Sequence, residues 1–305
     1  MDSRQAWEEF WSAGGEGTAT CLPKAVGAID ATQDKFWTSF AAGLPRRAHV
    51  LDLGTGSGAV LRRLKGARPD LVLTGVDSSP RLPPAPKGIT LRAGVPMEAL
   101  PFLPCRFDAI VSQFGFEYGD TAAIAQEAAR VVRPDAPILL MVHRRDGVIV
   151  EHNLRRREAL SWILDQSEYL GKARALVRAR RTVALPTPAL FEAAPAEMSQ
   201  RFPGQSVGAE FMLAVYQTLQ LGFGGTGETA LGTFDALERK ARGEIKRIET
   251  LDNAARDDAN VEQLIEGLET AGFAMRPPGK ISEGSGRPLA WRIAGRRVSD
   301  RETSP

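Results

Sequence analysis

The chain has 305 residues, 25% of them charged, and a formal net charge of +2, which supplies no global electrostatic pull toward nucleic acid. Two cysteines, Cys21 and Cys105, make no disulfide framework, and no Cys/His cluster has the spacing of metal ligands, so no metal is expected. Residues 1–5 lack an apolar signal region and no apolar run is long enough to span a bilayer; a cytoplasmic protein of one large domain, or a domain with an insertion, is expected.

Residues 1–44 read as helices that precede a sheet. Trp7, Phe10 and Trp11 share one helical face, and Ile29, Phe36, Trp37 and Phe40 form a second stripe, with Pro23 and Gly27 between them. Both stripes suit a core. A sharper reading has one of these aromatics, with Gln33 nearby, close over a ligand. At residues 49–53 a short apolar run enters the alternate glycines Gly54, Gly56 and Gly58, and a helical pattern (Ala59, Val60, Leu61, Leu64) follows at once. Strand, tight turn and helix make the first unit of a doubly wound α/β sheet. Glycines there allow positive φ and close approach of a ligand, and the helix start offers free N–H groups and partial positive charge.

Two readings of this turn compete. Gly54-x-Gly56-x-x-Ala59 fits a relaxed dinucleotide fingerprint of a nicotinamide-dependent oxidoreductase, whereas Asp52-x-Gly54-x-Gly56-x-Gly58 resembles the first motif of class I S-adenosylmethionine-dependent methyltransferases. Either wants an acidic residue about 20 positions on to accept from ribose hydroxyls, and Asp77 supplies it. Asp52 separates them. A carboxylate before the turn suits a cationic amino-acid ligand and repels a pyrophosphate.

The second strand occupies 71–76. Pro83, Pro84 and Pro86 then forbid an ordinary crossover helix. A third strand is expected at 88–93, a fourth at 106–113, an amphipathic helix at 121–132 and a fifth strand at 137–142, ending on His143. Along this stretch Gly75-Val76-Asp77-x-Ser79-Pro80, Met97-Glu98-x-Leu100-Pro101-Phe102, Phe107-Asp108 and Glu127-x-x-Arg130-Val131-Val132-Arg133-Pro134 follow the glycine turn in order. With it they resemble a class I methyltransferase of the small-molecule type over roughly residues 46–145. Two departures stand out: Asp135-Ala136 replaces the family's usual Gly-Gly, and the helix after Asp77 is broken by prolines.

Residues 147–256 lack sheet alternation and read as a helical insertion, with a basic side from Arg155 to Arg181 and a joint at 222–227. The family tends to place a substrate lid there. The arginines suit a solvated face or an anionic substrate. A helix at 261–271 stops at Gly272, and strands at 273–276 and 289–297 complete the sheet, the last one inserted antiparallel between the fifth and sixth by resemblance. The expected fold is therefore α/β, a doubly wound seven-stranded mostly parallel sheet with an antiparallel last strand. Residues 1–44 form an N-terminal helical cap, 45–146 and 257–297 the S-adenosylmethionine-binding domain, and 147–256 the insertion. A mostly polar tail follows.

The resemblance implies S-adenosylmethionine as cofactor, held by Asp52, Gly54, Thr55, Gly56 and Gly58 at its methionine end. It places Asp77 and Ser78 at the ribose, Met97 and Glu98 at the adenine, and Gln113 and Phe114 at the sulfonium. Tyr118 and Arg144 are substrate candidates. His143, at the strand edge where ligands bind in open α/β sheets, is the candidate general base; a structural role competes with it. His49 lies at the opposite strand end. The expected activity is methyl transfer to a small-molecule acceptor with an oxygen or nitrogen nucleophile, without nucleic-acid or membrane partners and with a homodimer allowed. A non-catalytic S-adenosylmethionine-binding sensor or scaffold is the alternative, with a nicotinamide-dependent oxidoreductase behind it.

Overall fold

The computed structural model describes residues 27–221 and 227–299. Trp7, Phe10, Trp11, Pro23, Cys21, the joint at 222–226 and the tail from 300 lie outside the described residues. The chain divides into two compact units, one of residues 151–249 and one of the chain on either side of it.

In the second of these, α1 (Gly27–Ala42) leads to β1 (His49–Leu53), α2 (Ala59–Ala67), β2 (Val72–Val76), β3 (Ile89–Arg92), β4 (Ala109–Gln113), a 3-10 turn (Phe116–Tyr118), α3 (Thr121–Val131) and β5 (Pro137–His143). After the helical unit come α9 (Asp258–Thr270), β6 (Phe273–Met275), β7 (Gly279–Ser282) and β8 (Pro288–Arg297). The strands order as β3-β2-β1-β4-β5-β8-β6. The first five are mutually parallel, and β8 runs antiparallel to β5 on one edge and to β6 on the other. The expected class holds, with one addition. Lys280 and Ile281 pair with Trp291 and Ala290, so β7 follows β6 along the same edge of β8 and makes an eighth strand.

Strand periodicity sorts this sheet into two faces. Leu51, Leu53, Ile110, Leu140 and Ile293 pack with residues of α3 and α9. Val50, Ala109, Val111, Leu139 and Met141 pack on the other face with Ile29 and Trp37 of α1 and Leu61 and Leu64 of α2. Parallel strands buried on both faces explain why β1, β4 and β5 read as near-continuous apolar runs. Between β2 and β3 no helix forms, as the prolines require. The turn before β5 carries Asp135 at φ 63°, a left-handed conformation that the Gly-Gly of the resembled pattern would adopt more easily.

The helical unit is built from α4 (Val148–Ser161), a π turn (Trp162–Gln166), α5 (Tyr169–Ala179), α6 (Ala189–Arg201), α7 (Val207–Leu221) and α8 (Glu228–Ala254). Its own core includes Leu160, Ile163, Phe191, Met198, Met212 and Phe234. Much of its basic side is paired internally: Arg155 with Glu151, Arg156 with Glu244, and Arg174 with Asp235 and Glu238. Such pairs neutralise the arginines as an anion-attracting surface.

Candidate functional site

The glycine turn is fixed from three sides. Gly54, Gly56 and Gly58 take φ 66°, 49° and 76°. Thr55 N–H donates to Val76 O at 2.9 Å, which ties the turn to the end of β2, and Gly58 N–H donates back to Thr55 O at 2.8 Å. A Cβ on Gly54 would lie 2.9 Å from Gly115 Cα, so the turns after β1 and β4 touch backbone to backbone. Ser112 Oγ reinforces that contact by donating to Leu53 O at 2.6 Å while accepting from Phe116 N–H at 3.1 Å. From this turn α2 starts, with Gly58 as its cap and no side-chain cap bond.

Asp52 is 1% exposed. Its Oδ2 accepts from Thr55 Oγ1 at 2.7 Å, and its Oδ1 is buried without a partner among the described residues. Burial pushes the carboxyl up to about 7; the Thr55 bond opposes this and the charge of Asp77 adds to it. Asp77 accepts from Gly56 N–H with Oδ2 and from Ser79 N–H with Oδ1, both at 2.9 Å. Burial raises its carboxyl too, against those two bonds. Ser78 beside it is exposed. Met97 is buried against the glycine turn, its Sδ 3.7 Å from where a Gly54 Cβ would sit. Glu98 accepts from Asp120 N–H at 3.1 Å, at the start of α3.

At the ends of β4 and β5 a second cluster forms. Gln113 Oε1 accepts from Trp37 Nε1 at 2.6 Å, and Gln33, one helical turn earlier on α1, is 1% exposed with its Nε2 unpartnered among the described residues. Phe114 has φ 55°, an outlier for a bulky residue, and its ring stacks on His143 at 4.1 Å with 27° between planes. Tyr118 meets the same imidazole edge-on at 5.9 Å. Glu117, buried in the 3-10 turn, accepts with Oε1 from the His143 main-chain N–H at 2.8 Å and lies 2.9 Å from His143 Nδ1. Arg256 borders the pair: its N–H donates to His143 O at 2.9 Å and its Nη2 to Glu117 O at 3.2 Å.

Strand alternation decides which predicted residues meet. Asp52, Gln113 and His143 fall in step with Val50, Val111 and Met141, on the sheet face that Trp37 covers. Arg144 follows His143 and takes the opposite face, its guanidinium 4.4 Å above Trp291, a residue of the other core, with Asp146 on its Nε and Nη2. A substrate role beside His143 is therefore not what its placement offers. His49 is at the other end of its strand, with Arg106 and Asp108, and burial lowers its pKa. Glu117 is a site residue that no sequence motif marks. Its only signal is an acidic residue in the otherwise apolar and aromatic stretch 114–118.

These residues fit S-adenosylmethionine on two observations. The orphaned, buried Asp52 Oδ1 matches a cationic α-amino group, and three glycines at positive φ leave the main chain of the turn bare of side chains for a ligand to approach. Among the described residues no cluster of His, Cys, Asp or Glu could hold a metal ion, and no helix is long and apolar enough to cross a membrane.

Comparison with known proteins agrees with this geometry. Residues 50–135 match the family model of a methyltransferase domain. A demethylmenaquinone methyltransferase from Thermotoga maritima is 38% identical over 96 residues, which are 30% of this chain and 42% of that protein, so the match spans less than half of the relative. Among solved structures, a chain from a complex of the Haloferax volcanii Trm112 methyltransferase activator superposes with a TM-score of 0.50 at 13% identity, covering 96% of this chain and 98% of that one. An S-adenosylmethionine-dependent methyltransferase from Aquifex aeolicus aligns over 98% of this chain and 100% of its own at 11% identity and a TM-score of 0.46. Residues 50–135 thus match a methyltransferase domain, and they lie within a sheet of the methyltransferase fold.

Proposed function

We propose that the chain transfers a methyl group from S-adenosylmethionine to a small-molecule acceptor through an oxygen or nitrogen nucleophile. The observation that carries this reading is the buried Asp52 carboxylate with one free oxygen at the mouth of the glycine turn, beside Asp77. A dinucleotide pyrophosphate on the same turn would meet that carboxylate's charge. The bound cofactor supplies a methyl already activated on a sulfonium. The protein's share is then to hold both partners at attack distance, which is worth up to roughly 7–11 kcal/mol in good geometry.

In this assignment Asp52 and the turn's N–H groups hold the methionine end, Asp77 the ribose hydroxyls and Met97 a face of the adenine. Phe114 and Tyr118 border the reacting centre, where aromatic faces favour a cation. His143 takes a proton from the acceptor where one must leave. The unit of residues 151–249 carries acceptor choice, because every residue assigned to the cofactor lies outside it. Isothermal titration with S-adenosylmethionine, S-adenosylhomocysteine and NADH is the test. Binding of the first two is expected, and binding of NADH alone would end the reading. Labelled S-adenosylmethionine incubated with a cell extract would then identify the molecule that acquires the methyl.

A further inference from the structure

We infer that Glu117 is a positioning residue that fixes the tautomer of His143, and that the acceptor is consequently a hydroxyl compound. This rests on the methyltransferase reading and deepens it. Glu117 Oε1 serves two hydrogen-bonding atoms of one residue, the main-chain N–H at 2.8 Å and Nδ1 at 2.9 Å. A carboxylate oxygen offers only lone pairs, so Nδ1 carries the hydrogen. In a neutral imidazole Nε2 then carries the free lone pair. That atom is buried and has no partner among the described residues. Both side chains are inaccessible, at 2% for His143 and 0% for Glu117, and Phe114 stacked on the ring limits its rotation.

A purely structural histidine in such a place would satisfy both ring nitrogens, since leaving a buried acceptor unpaired is costly. Here Glu117 Oε1 holds the main-chain N–H and Nδ1 once each, whereas Nε2, like Glu117 Oε2, has no partner among the described residues. The chemistry this serves is proton removal. A neutral amine brings its own lone pair to a methyl group and needs no base, whereas an alcohol or phenol must lose its proton as it attacks. The acceptor oxygen would form the new C–O bond with a lone pair as its proton goes to Nε2, the electrons of the broken C–S bond would stay on sulfur, and the imidazolium would give the proton up to water once product leaves the buried site. The Glu117 carboxylate against Nδ1–H stabilises that imidazolium while it exists.

The first test needs no acceptor. The chain has three histidines, so 15N-histidine labelling with His49→Gln and His152→Gln variants assigns the imidazole resonances of His143. At pH 7.5 the full-length protein with S-adenosylhomocysteine should show a protonated Nδ1 and a pyridine-type Nε2 at His143, in one tautomer. In Glu117→Ala the two signals should move toward averaged values. Glu117→Gln, whose amide oxygen can still accept, should keep the tautomer. An Nε2-protonated ring or a tautomeric average in the unaltered protein overturns the proposal without any variant having to fold.

The second test follows the product. The labelled methyl should be found on oxygen, and Glu117→Gln should lower kcat by tenfold or more with S-adenosylmethionine binding unchanged. A product methylated on nitrogen or carbon would refute the hydroxyl class. Loss of S-adenosylmethionine binding by the unaltered protein would instead refute the methyltransferase reading itself.

Discussion

Replacing Asp52 with asparagine should make the protein more stable at alkaline pH while weakening its hold on the cofactor. The Asp52 carboxyl stands at about 7 in the fold against 3.8 for an unperturbed aspartate, chiefly because it is buried. A raised carboxyl contributes stability that is complete below the unfolded value and is lost as pH climbs through the folded one. At about 1.4 kcal/mol per unit, the native state at pH 8 gives up about 4.4 kcal/mol relative to a protein whose residue 52 stays neutral, and about 1.7 kcal/mol at pH 5. Asparagine accepts from Thr55 with its amide oxygen but brings buried N–H groups of its own, which cost about 1–3 kcal/mol at every pH. The difference between the two pH values is therefore the clean quantity. From pH 5 to pH 8, Asp52→Asn should gain about 2.7 kcal/mol on the unaltered protein in urea unfolding. In the proposed site the α-ammonium of S-adenosylmethionine needs the ionised carboxylate, so titration at pH 6 in buffers of different ionisation enthalpy should show release of most of one proton, fading by pH 8. Parallel stability curves for the two proteins, with heats independent of buffer, would refute the reasoning.

Three further substitutions probe the same architecture. A Cβ on Gly75 would fall 2.3 Å from Thr55 Oγ1 and 2.6 Å from its Cβ, so Gly75→Ala should cost about 1–3 kcal/mol in denaturant unfolding and weaken S-adenosylmethionine at least tenfold by calorimetry. Asp77→Ala removes the acceptor of both Gly56 N–H and Ser79 N–H along with the proposed ribose contact, and should weaken the cofactor by about 2–3 kcal/mol, read by the same titration. Asp135→Gly relieves a left-handed φ of 63° at a modest entropic cost, and should raise stability by about 0.5 kcal/mol in urea unfolding without touching cofactor affinity.

The parts of the molecule legible in the sequence are those where local chemistry dictates the answer. Alternate glycines before a helical pattern need positive φ, and all three have it. Three prolines exclude a helix, and none forms between β2 and β3. The strand from Leu289 lies between β5 and β6 as expected, and it is buried on both faces, with Trp291 and Ile293 in one core and Ala290 and Ala294 in the other. Strand β7 escaped because Gly279-Lys280-Ile281-Ser282 is too short to display a period, and its strand character comes from pairing with β8. Glu117 escaped for a similar reason. Its significance lies in reaching His143, 26 positions away in the chain, and no local pattern encodes that. Arg144 follows His143 in the chain, and a strand sends neighbours to opposite faces, so its side chain lies over Trp291 instead.

The position of β8 also sets the order in which the sheet can assemble. Strand β5 is central and buried, yet its second partner is residues 290–296, beyond the whole helical unit. Until that segment arrives, β5 exposes an unpaired row of main-chain donors and acceptors, the kind of edge that recruits other chains. Closing so long a loop is slow, and a nascent chain carries β1 to β5 for the time it takes to synthesise the helices between. Residues 151–249, with their own core and internal ion pairs, can fold during that wait. The sheet cannot, so the interval in which this protein is most prone to aggregate is written into its strand order.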